Sequence, residues 1–383
     1  MGIDRNRPFV RAFAPGRTEI AGNHTDHQGG RVIAAAVSAG VRVLAQENGS
    51  DQVHVESAGF SPVTLSVRDT SPREDERATT AALVRGMVAG LALLGVDVRG
   101  FDAQVETTVP AGGGLSSSAA FELALGAAAN ALFGSDDVAP IAMARAAQAA
   151  ERGYFGKPCG LMDQLAVELG GVLDIDFKRA QNPVVDPIDV DFQARGFDVC
   201  LVDVHCDHSK YTSEYAQVER DMTAVAHLFG KRVLSEVDAG DFMDRFSQVR
   251  TKLGDTAALR AMHYYNEMNL VAIRAAALRA GDMRTFLAAT RRSGVSSAQY
   301  LQNVSRWGTA DQPAMVALAL ADGILGEAGA VRIHGGGFGG TVQAYVPSDM
   351  TVRFSQAMDG FLGEGSTHVL AIGGQGAHAA WVR

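Results

Sequence analysis

The chain has 383 residues, of which 47% are hydrophobic and 20% are charged, and its formal net charge is −9. This length suggests about two domains of roughly 150 residues, and the composition is typical of a folded globular protein rather than a disordered one. Long runs of Lys and Arg do not occur in the sequence, so nucleic acid is not an expected partner.

The cysteines and the termini indicate where the protein resides. Cys159, Cys200 and Cys206 have no CxxC spacing and are expected to be reduced thiols. The N-terminus lacks the apolar core of a signal peptide, and the sequence has no apolar run of the roughly 20 residues that a membrane helix needs. We therefore expect a cytoplasmic protein without a membrane partner, either a monomer or a weak homo-oligomer.

In chain order, the first 60 residues are predicted to be mostly β-structure. "FVRAFA" and "VRVLAQE" have strand composition, and the polar segment "PGRTEIAGNHTDHQGG", residues 15–30, is predicted to be a loop between them. "ERATTAALVRGMVAGLALLG" has helical spacing, "FDAQVETTV" alternates like a half-buried strand, and "SAAFELALGAAANALFG" is expected to be a buried helix.

The second half is predicted to mix long helices with short strands, which gives an α+β protein. A polar segment, "DPIDVDFQARG", marks the best candidate boundary, so we predict domains at 1–192 and 193–383. The predicted elements of the second half are helices at 215–230 and 257–280 and strands near 197–204, 331–333 and 341–346.

The first chemical motif is "VPAGGGLSSSAAFELALG", whose loop spans residues 110–120. Its glycines allow the backbone to curl, and the free N–H groups of the following helix, with the serine hydroxyls, suit a polyphosphate. A flexible turn followed by a serine N-cap is the alternative. The predicted nucleotide contacts are Gly112, Gly113, Gly114, Leu115, Ser116, Ser117, Ser118 and Ala119.

Two further glycine-containing motifs are candidates for the functional site. In "RIHGGGFGGTVQAYV" the loop 334–340 has almost no side chains, so Gly336 and Gly337 are predicted to approach the nucleotide from a second side, although tight strand packing is the alternative. In "GKPCGLMDQLAVELGG" Asp163 follows Gly160 at the start of an apolar segment, where a helix cap or a solvated residue is the alternative reading.

These motifs, in this order, resemble those of the GHMP small-molecule kinases and, within them, the galactokinases. "PGRTEIAGNHTDHQGG" is similar to the sugar-binding signature, "GGGLSSSAA" to the phosphate loop and "GGGFGG" to the third motif, and "CGLMDQ" and "SEY" also match. The resemblance implies a two-domain fold, a ribosomal-protein-S5-like N-terminal domain and a GHMP C-terminal domain, with the active site in the cleft between them. It also implies transfer of a phosphoryl group from ATP to the anomeric hydroxyl of a sugar.

The resemblance also implies a role for individual residues. Arg17 would stabilise the transferring phosphoryl group and orient Asp163, which would accept the proton of the anomeric hydroxyl. Mg²⁺ would lie near Ser118 and Glu151, whose oxygen atoms suit that ion. The residues implied to bind the sugar are Asn23, His24, Asp26, Gly160 and Tyr215.

For the segment around His24, two alternatives remain at this stage: a transition-metal site made with Asp26 and His27, and a purely structural loop. A metal site usually needs a further ligand with supporting hydrogen bonds, which the sequence does not indicate.

The chain departs from the family pattern in places that affect specificity. The family usually has Gly-Glu-His-Thr-Asp-Tyr where this chain has "GNHTDH", so Asn23 stands where a glutamate would contact the sugar's C6 group. A neutral amide there would tolerate a carboxylate, which makes galacturonate an alternative substrate to galactose. "TTAALVRGM" lacks the usual adenine-flanking aromatic residue, and "SGVSSAQYLQNV", residues 293–304, differs from the usual helix. A catalytically silent sugar and ATP sensor is the alternative of another class.

Overall fold

The computed structural model describes residues 2–110, 114–134, 138–206, 211–306 and 308–382, with their side chains except that of Thr212. Its strands form two sheets of eight and four strands, and helices pack against both. The predicted α+β class is confirmed.

The first sheet is built around one long strand. Its strands are β1 Phe9–Ala21, β2 Arg31–Glu47, β3 Gln52–Ser57, β4 Val63–Ser66, β5 Phe101–Thr107, β6 Val172–Asp176, β7 Val184–Pro187 and β12 His378–Val382. The long strand is β2, which pairs with β1 on one side and, on the other, with β6 at its start and β5 at its end, all antiparallel. The sheet order is β12-β1-β2-β5-β3-β4, with β6 beside the start of β2 and β7 paired with β6.

Helices cover this sheet and form the first core with it. The helices are α1 Thr80–Leu93, α2 Ser117–Phe133, α3 Pro140–Ala149 and α4 Met162–Leu169. Helix α2 packs on β1 and β2, and many of its buried residues are alanines; on another side, Gly126 lies against the ends of the Met87 and Met143 side chains of α1 and α3. The predicted buried helix is therefore confirmed, and its position fixes where the loop before it lies.

The second sheet is antiparallel, in the order β11-β8-β10-β9. Its strands are β8 Phe197–Asp203, β9 Ala330–Ile333, β10 Thr341–Pro347 and β11 Thr367–Leu370. The helices of this half are α5 Thr212–Leu228, α6 Ala239–Asp244, α7 Phe246–Leu253, α8 Asp255–Ala280, α9 Met283–Ser296, α10 Pro313–Leu325 and α11 Thr351–Leu362. Within the described residues, no helix combines the length and apolarity needed to cross a membrane.

The structure corrects the prediction that residues 15–30 are a loop. Strand β1 continues to Ala21, so only residues 22–30 form the loop between β1 and β2. The second half of strand β1 pairs with β2 and is buried on both faces. Thr18, Glu19 and Ile20 are almost inaccessible to solvent. A strand that buries polar groups on both faces lacks the apolar alternation by which strands are recognised.

The predicted boundary at residue 192 falls between β7 and β8. Strand β12, near the C-terminus, lies beyond this boundary but pairs with β1 in the first sheet. The pairing covers the edge of β1, which would otherwise expose unpaired backbone groups. One hydrophobic core also contains Ile20 and Ile33 of the first sheet with Leu201 and Tyr345 of the second.

Two buried ion pairs connect the halves beside this shared core. Arg332 of β9 bonds to Glu19 of β1, and Arg274 and Glu267 of α8 bond to each other; both arginine side chains are fully buried. Each arginine also donates through Nη1 to the carbonyl oxygen of Ile20, at 3.2 Å. The end of β1 is thereby held from the second half of the chain.

We expect Arg274→Met to reduce the free energy of unfolding by about 3–5 kcal/mol, because it leaves the Glu267 carboxylate buried without its charge partner. Urea unfolding measures this loss. Arg250→Met is the matched control, since Arg250 pairs with Asp255 at 2.6 Å on the surface, with side-chain exposures of 54% and 68%. Its expected effect is below about 1 kcal/mol. Equal losses in the two variants would contradict the importance of the buried pair.

Candidate functional site

The loop of residues 22–30 is the first component of the site. Its turns are closed by Thr25, whose hydroxyl donates to the carbonyl oxygens of Gly22 and Arg31, at 2.8 and 2.9 Å. His24 adopts a left-handed backbone conformation, with φ of 57°, which is uncommon for a residue with a side chain. The loop is thus a defined structure rather than a flexible connection.

Arg17 on β1 connects the second and third components, Asp163 and the phosphate loop. Its Nε and Nη2 atoms donate to the two carboxylate oxygens of Asp163, each at 2.6 Å. Its Nη1 donates to the carbonyl oxygen of Gly114, and its backbone N–H donates to that of Leu115 at 3.0 Å. One arginine therefore positions both the carboxylate and the described end of the phosphate loop.

Asp163 is kept ionised by these contacts. Burial alone would raise its pKa, but the Arg17 charge and hydrogen bonds, with the Ser116 hydroxyl, outweigh that effect and lower the pKa to about 2. Ser116 adopts a φ of 55° just before α2, and it has no side-chain capping bond; its hydroxyl donates to Asp163 instead. The alternative of a serine N-cap at this position is therefore wrong.

The phosphate loop leads directly into α2, but only part of it is described. Gly112 and Gly113 lie outside the described residues. Gly114 has a positive φ of 64° and lies against His334 and Thr341 of the second half. The N–H groups of Ser117, Ser118 and Ala119 belong to the first turn of α2, where N–H groups lack partners within the helix.

Ser118 and Glu151, the two residues predicted to lie near Mg²⁺, are in direct contact. The Ser118 hydroxyl donates to Oε1 of Glu151 at 2.8 Å, and Lys157 donates to the same oxygen at 2.8 Å. Oε2 of Glu151 accepts from Gln164 at 2.8 Å. Glu122, one turn after Ser118, is fully buried, and neither of its carboxylate oxygens has a partner among the described residues. Burial and the nearby Glu151 charge raise its pKa well above the usual range.

Asp26 and Gly160 lie in direct contact. A Cβ atom on Gly160 would collide with the Asp26 carboxylate, so this close approach depends on glycine. Burial, together with the charge of Asp163, raises the pKa of Asp26 to about 7. The site therefore contains two carboxylates with opposite pKa shifts.

The glycine-rich loop 334–340 lies over the 22–30 loop. Three successive carbonyl oxygens accept hydrogen bonds from predicted sugar residues: that of Gly335 from Asn23, that of Gly336 from His24 at 2.9 Å, and that of Gly337 from Tyr215 at 2.8 Å. A side chain at Gly336 would collide with Tyr215. These glycines therefore contact the sugar side of the site, and their predicted nucleotide contact stays a prediction.

Asn303 and Ser297 lie beside Asn23, although no sequence motif predicted them as site residues. Asn303 donates to Oδ1 of Asn23 at 2.8 Å, and the Ser297 hydroxyl lies 3.4 Å from the same oxygen. Asn303 is fully buried, and its own amide oxygen has no partner among the described residues. Both residues belong to the segment 293–304, whose departure from the family pattern was the available signal.

Comparison with known proteins identifies the family of the chain. Residues 82–171 match the model of the GHMP kinases N-terminal domain, and residues 3–47 match the galactokinase galactose-binding signature. A galactokinase of Streptomyces coelicolor is 32% identical over 335 residues, which cover 86% of this chain and 82% of that protein. The chain belongs to the galactokinase family of the GHMP kinases.

A further relative and two solved structures agree with the family and with the fold, respectively. A galactokinase of Actinobacillus succinogenes is 28% identical over 89% of this chain and 86% of its own. Lactococcus lactis galactokinase, solved in complex with galactose, superposes with a TM-score of 0.81 at 24% identity, covering 96% of this chain and 94% of its own. A mevalonate kinase superposes with a TM-score of 0.67 at 12% identity over 95% and 99% of the chains. The predicted two-domain GHMP kinase architecture is confirmed at the level of the fold.

We expect the stability of this galactokinase-family protein, relative to Asp26→Asn, to fall between pH 5 and pH 8. The pKa of Asp26 is raised from 3.8 to about 7 by folding, so its stabilising contribution is complete below pH 3.8 and is lost as the pH rises through 7. Thermal unfolding of both proteins across this range measures the difference in Tm.

Asp282→Asn is the control for this experiment. The hydroxyl and backbone N–H of Thr285 lower the pKa of Asp282, so that residue stays ionised throughout pH 5–8. The Tm difference between the parent and Asp282→Asn should accordingly be constant. A constant difference for Asp26→Asn as well would show that Asp26 does not titrate in this range.

Proposed function

We propose that this protein transfers the γ-phosphoryl group of ATP to the anomeric hydroxyl of galactose, forming galactose 1-phosphate. The observation that carries the proposal is the position of Arg17, which binds Asp163 through two hydrogen bonds and the phosphate loop through two more. Phosphoryl transfer depends chiefly on positioning and on electrostatic stabilisation of the transferring group. A single cation between the acceptor side and the phosphate side meets both needs.

Asp163 acts on the sugar hydroxyl as an ionised group. A carboxylate with a pKa near 2 is a weak base, so it accepts the proton late, after the bond between the γ-phosphorus and the leaving ADP has largely broken. Until then it orients the hydroxyl by accepting its hydrogen bond. Arg17 stays protonated, since the charges around it hold its pKa above the ordinary value despite burial.

The sugar is bound by the 22–30 loop and the residues that face it. The Asp26 carboxylate offers acceptors for hydroxyl groups, and His24 and Tyr215 offer donors that the glycine-rich loop holds in this structure. Gly160 leaves the space into which the Asp26 carboxylate projects. The galactose bound by the Lactococcus lactis relative supports galactose as the substrate.

The residues expected to hold Mg²⁺ fit that ion. Ser118 and Glu151 present oxygen atoms 2.8 Å apart, and oxygen atoms are the ligands that this ion prefers. The Lys157 ammonium neutralises Glu151 in this structure, which marks the position as one that favours a cation. When bound with ATP, Mg²⁺ would neutralise charge on the phosphates.

The contacts of Asn23 favour galactose over galacturonate, contrary to the tolerance that its neutral side chain suggested. The Asn23 amide nitrogen donates to Gly335 and lies 3.5 Å from a Glu19 carboxylate oxygen, and its amide oxygen accepts from Asn303. A sugar carboxylate would therefore find no free donor on this side chain. Transfer of an ionised group from water to a site without a hydrogen-bond donor is unfavourable, because no new contact replaces its hydration.

A substrate panel tests the function. ADP release is measured with galactose, glucose, arabinose and galacturonate, with and without EDTA. We expect kcat/KM for galactose to exceed that for galacturonate by at least about 10²-fold, because the carboxylate loses its solvation without gaining a donor. EDTA should abolish turnover. Galactose binding without ADP release from any sugar would favour the silent sensor, and preferential use of galacturonate would overturn the assignment of galactose.

Asp163→Asn should lower kcat by about 10²-fold or more, because the amide cannot accept the hydroxyl proton. The KM for galactose should change only a few-fold. Steady-state kinetics of the purified variant measure both. Arg17→Lys is the companion variant: it retains the charge but not the paired hydrogen bonds, so its kcat should lie between those of Arg17→Ala and the parent. A near-normal kcat in Asp163→Asn would exclude the role given to this residue.

A further inference from the structure

His27 stands where the family usually has tyrosine, and the proposed chemistry does not use it. Its ring packs edge-on against the ring of His24, with centroids 5.4 Å apart. Nε2 of His27 lies 3.2 Å from Nδ1 of His24, and Nδ1 of His27 lies 3.3 Å from the amide nitrogen of Gln28. The far nitrogen of His24, Nε2, lies 2.9 Å from the carbonyl oxygen of Gly336. The four groups therefore form one continuous chain of hydrogen bonds.

The chemistry at the two ends determines the direction of every bond in this chain. A carbonyl oxygen only accepts, so Nε2 of His24 carries the hydrogen, and in a neutral ring Nδ1 must then accept. The hydrogen between the rings accordingly belongs to Nε2 of His27, whose Nδ1 accepts from Gln28. The Gln28 amide is oriented independently: its nitrogen donates to Thr223 at 3.0 Å, and its oxygen accepts from the backbone N–H of Leu234 at 3.1 Å.

Both rings are neutral under ordinary conditions. Burial lowers the pKa of His24 to about 4, and burial together with the His24 ring lowers that of His27 to about 3. Each imidazole ring therefore carries one N–H hydrogen near neutral pH, as the bond directions above require.

We propose that His27 is a positioning residue whose Nε2–H fixes the orientation and tautomer of His24, so that Nε2 of His24 is a hydrogen-bond donor at the sugar site. A sugar oxygen that replaces the Gly336 carbonyl takes over the Nε2–H, while the bond on the Nδ1 side persists. His27 is then the group that excludes the other tautomer, in which Nε2 would be an acceptor. This inference rests on the proposed role of His24 in sugar binding.

A matched pair of variants separates this role from simple packing. In His27→Tyr the phenol can donate to Nδ1 of His24 and accept from Gln28, whereas His27→Phe differs by one oxygen atom and can do neither. We expect His27→Phe to raise the KM for galactose about tenfold, roughly the value of one hydrogen bond, with kcat changed less than about twofold. His27→Tyr should keep the KM within about threefold of the parent, and the KM for ATP should be unchanged in both. Equal KM values in the two variants would overturn the inference.

The tautomer is measured directly, without substrate, by nitrogen-15 NMR of the imidazole rings. In the parent we expect hydrogen on Nε2 of both histidines, none on Nδ1 of His24, and a coupling across the hydrogen bond between the two rings. His27→Phe should lose that coupling and shift the Nδ1 resonance of His24. A parent spectrum with hydrogen on Nδ1 of His24 overturns the inference even in an active enzyme. Failure of every sugar to react would instead remove the proposed function, and the spectrum would still decide the tautomer.

Discussion

Two buried arginines hold the carbonyl oxygen of Ile20, and the rest of the site depends on that constraint. Arg274 and Arg332 reach this oxygen from α8 and β9, and each is neutralised by a buried glutamate. The rigid guanidinium fork fixes direction as well as distance. Two residues later the backbone N–H of Gly22 donates to Glu267 at 3.2 Å. The position and the direction of the chain at the start of the 22–30 loop are therefore set by charged side chains in the other half of the chain.

Charged neighbours also explain why the two carboxylates of the site, Asp163 and Asp26, have different pKa values. Asp163 has both oxygens bonded to Arg17, whereas no arginine of the described residues pairs with Asp26, and the Asp163 charge helps to raise the pKa of Asp26. Burial would raise the pKa of either one, so the charge and hydrogen bonds of Arg17 are the main reason that Asp163 remains ionised while Asp26 titrates near neutrality. The roles of the two acids in the proposed transfer thus follow from where Arg17 points.

The sequence predicted what local periodicity and composition control. The alternation in "FDAQVETTV" and the alanine-rich sequence of α2 correspond to elements that the structure contains, and the resemblance located Arg17, Asp163, Ser118 and Glu151, which the fold brings into two hydrogen-bonded clusters. Local patterns could not predict hydrogen-bond and strand partners that are distant in the sequence.

Three failures share that physical cause. The strand at residues 16–21 buries polar groups whose partners lie far along the chain, among them β2, Arg332 and Gln343. The C-terminal strand β12 pairs with β1 across most of the chain length. Ser116 looked like a helix cap, but its hydroxyl bonds to Asp163, 47 residues away. In each case the deciding partner lies far along the chain, where neither propensity nor spacing can indicate it.

The glycine-rich loop accepts hydrogen bonds from the predicted sugar residues through main-chain oxygen atoms, while its Phe338 ring packs against Tyr215. Because the acceptors at Gly335, Gly336 and Gly337 belong to the backbone, no exchange of side chains in the loop can add, remove or reverse one of them. A side chain introduced at Gly337 would instead strike the backbone of Asn303. The hydrogen-bond acceptors on this side of the pocket are therefore fixed. Adaptation to a different pattern of sugar hydroxyls has to come from side chains of the 22–30 loop and its other neighbours.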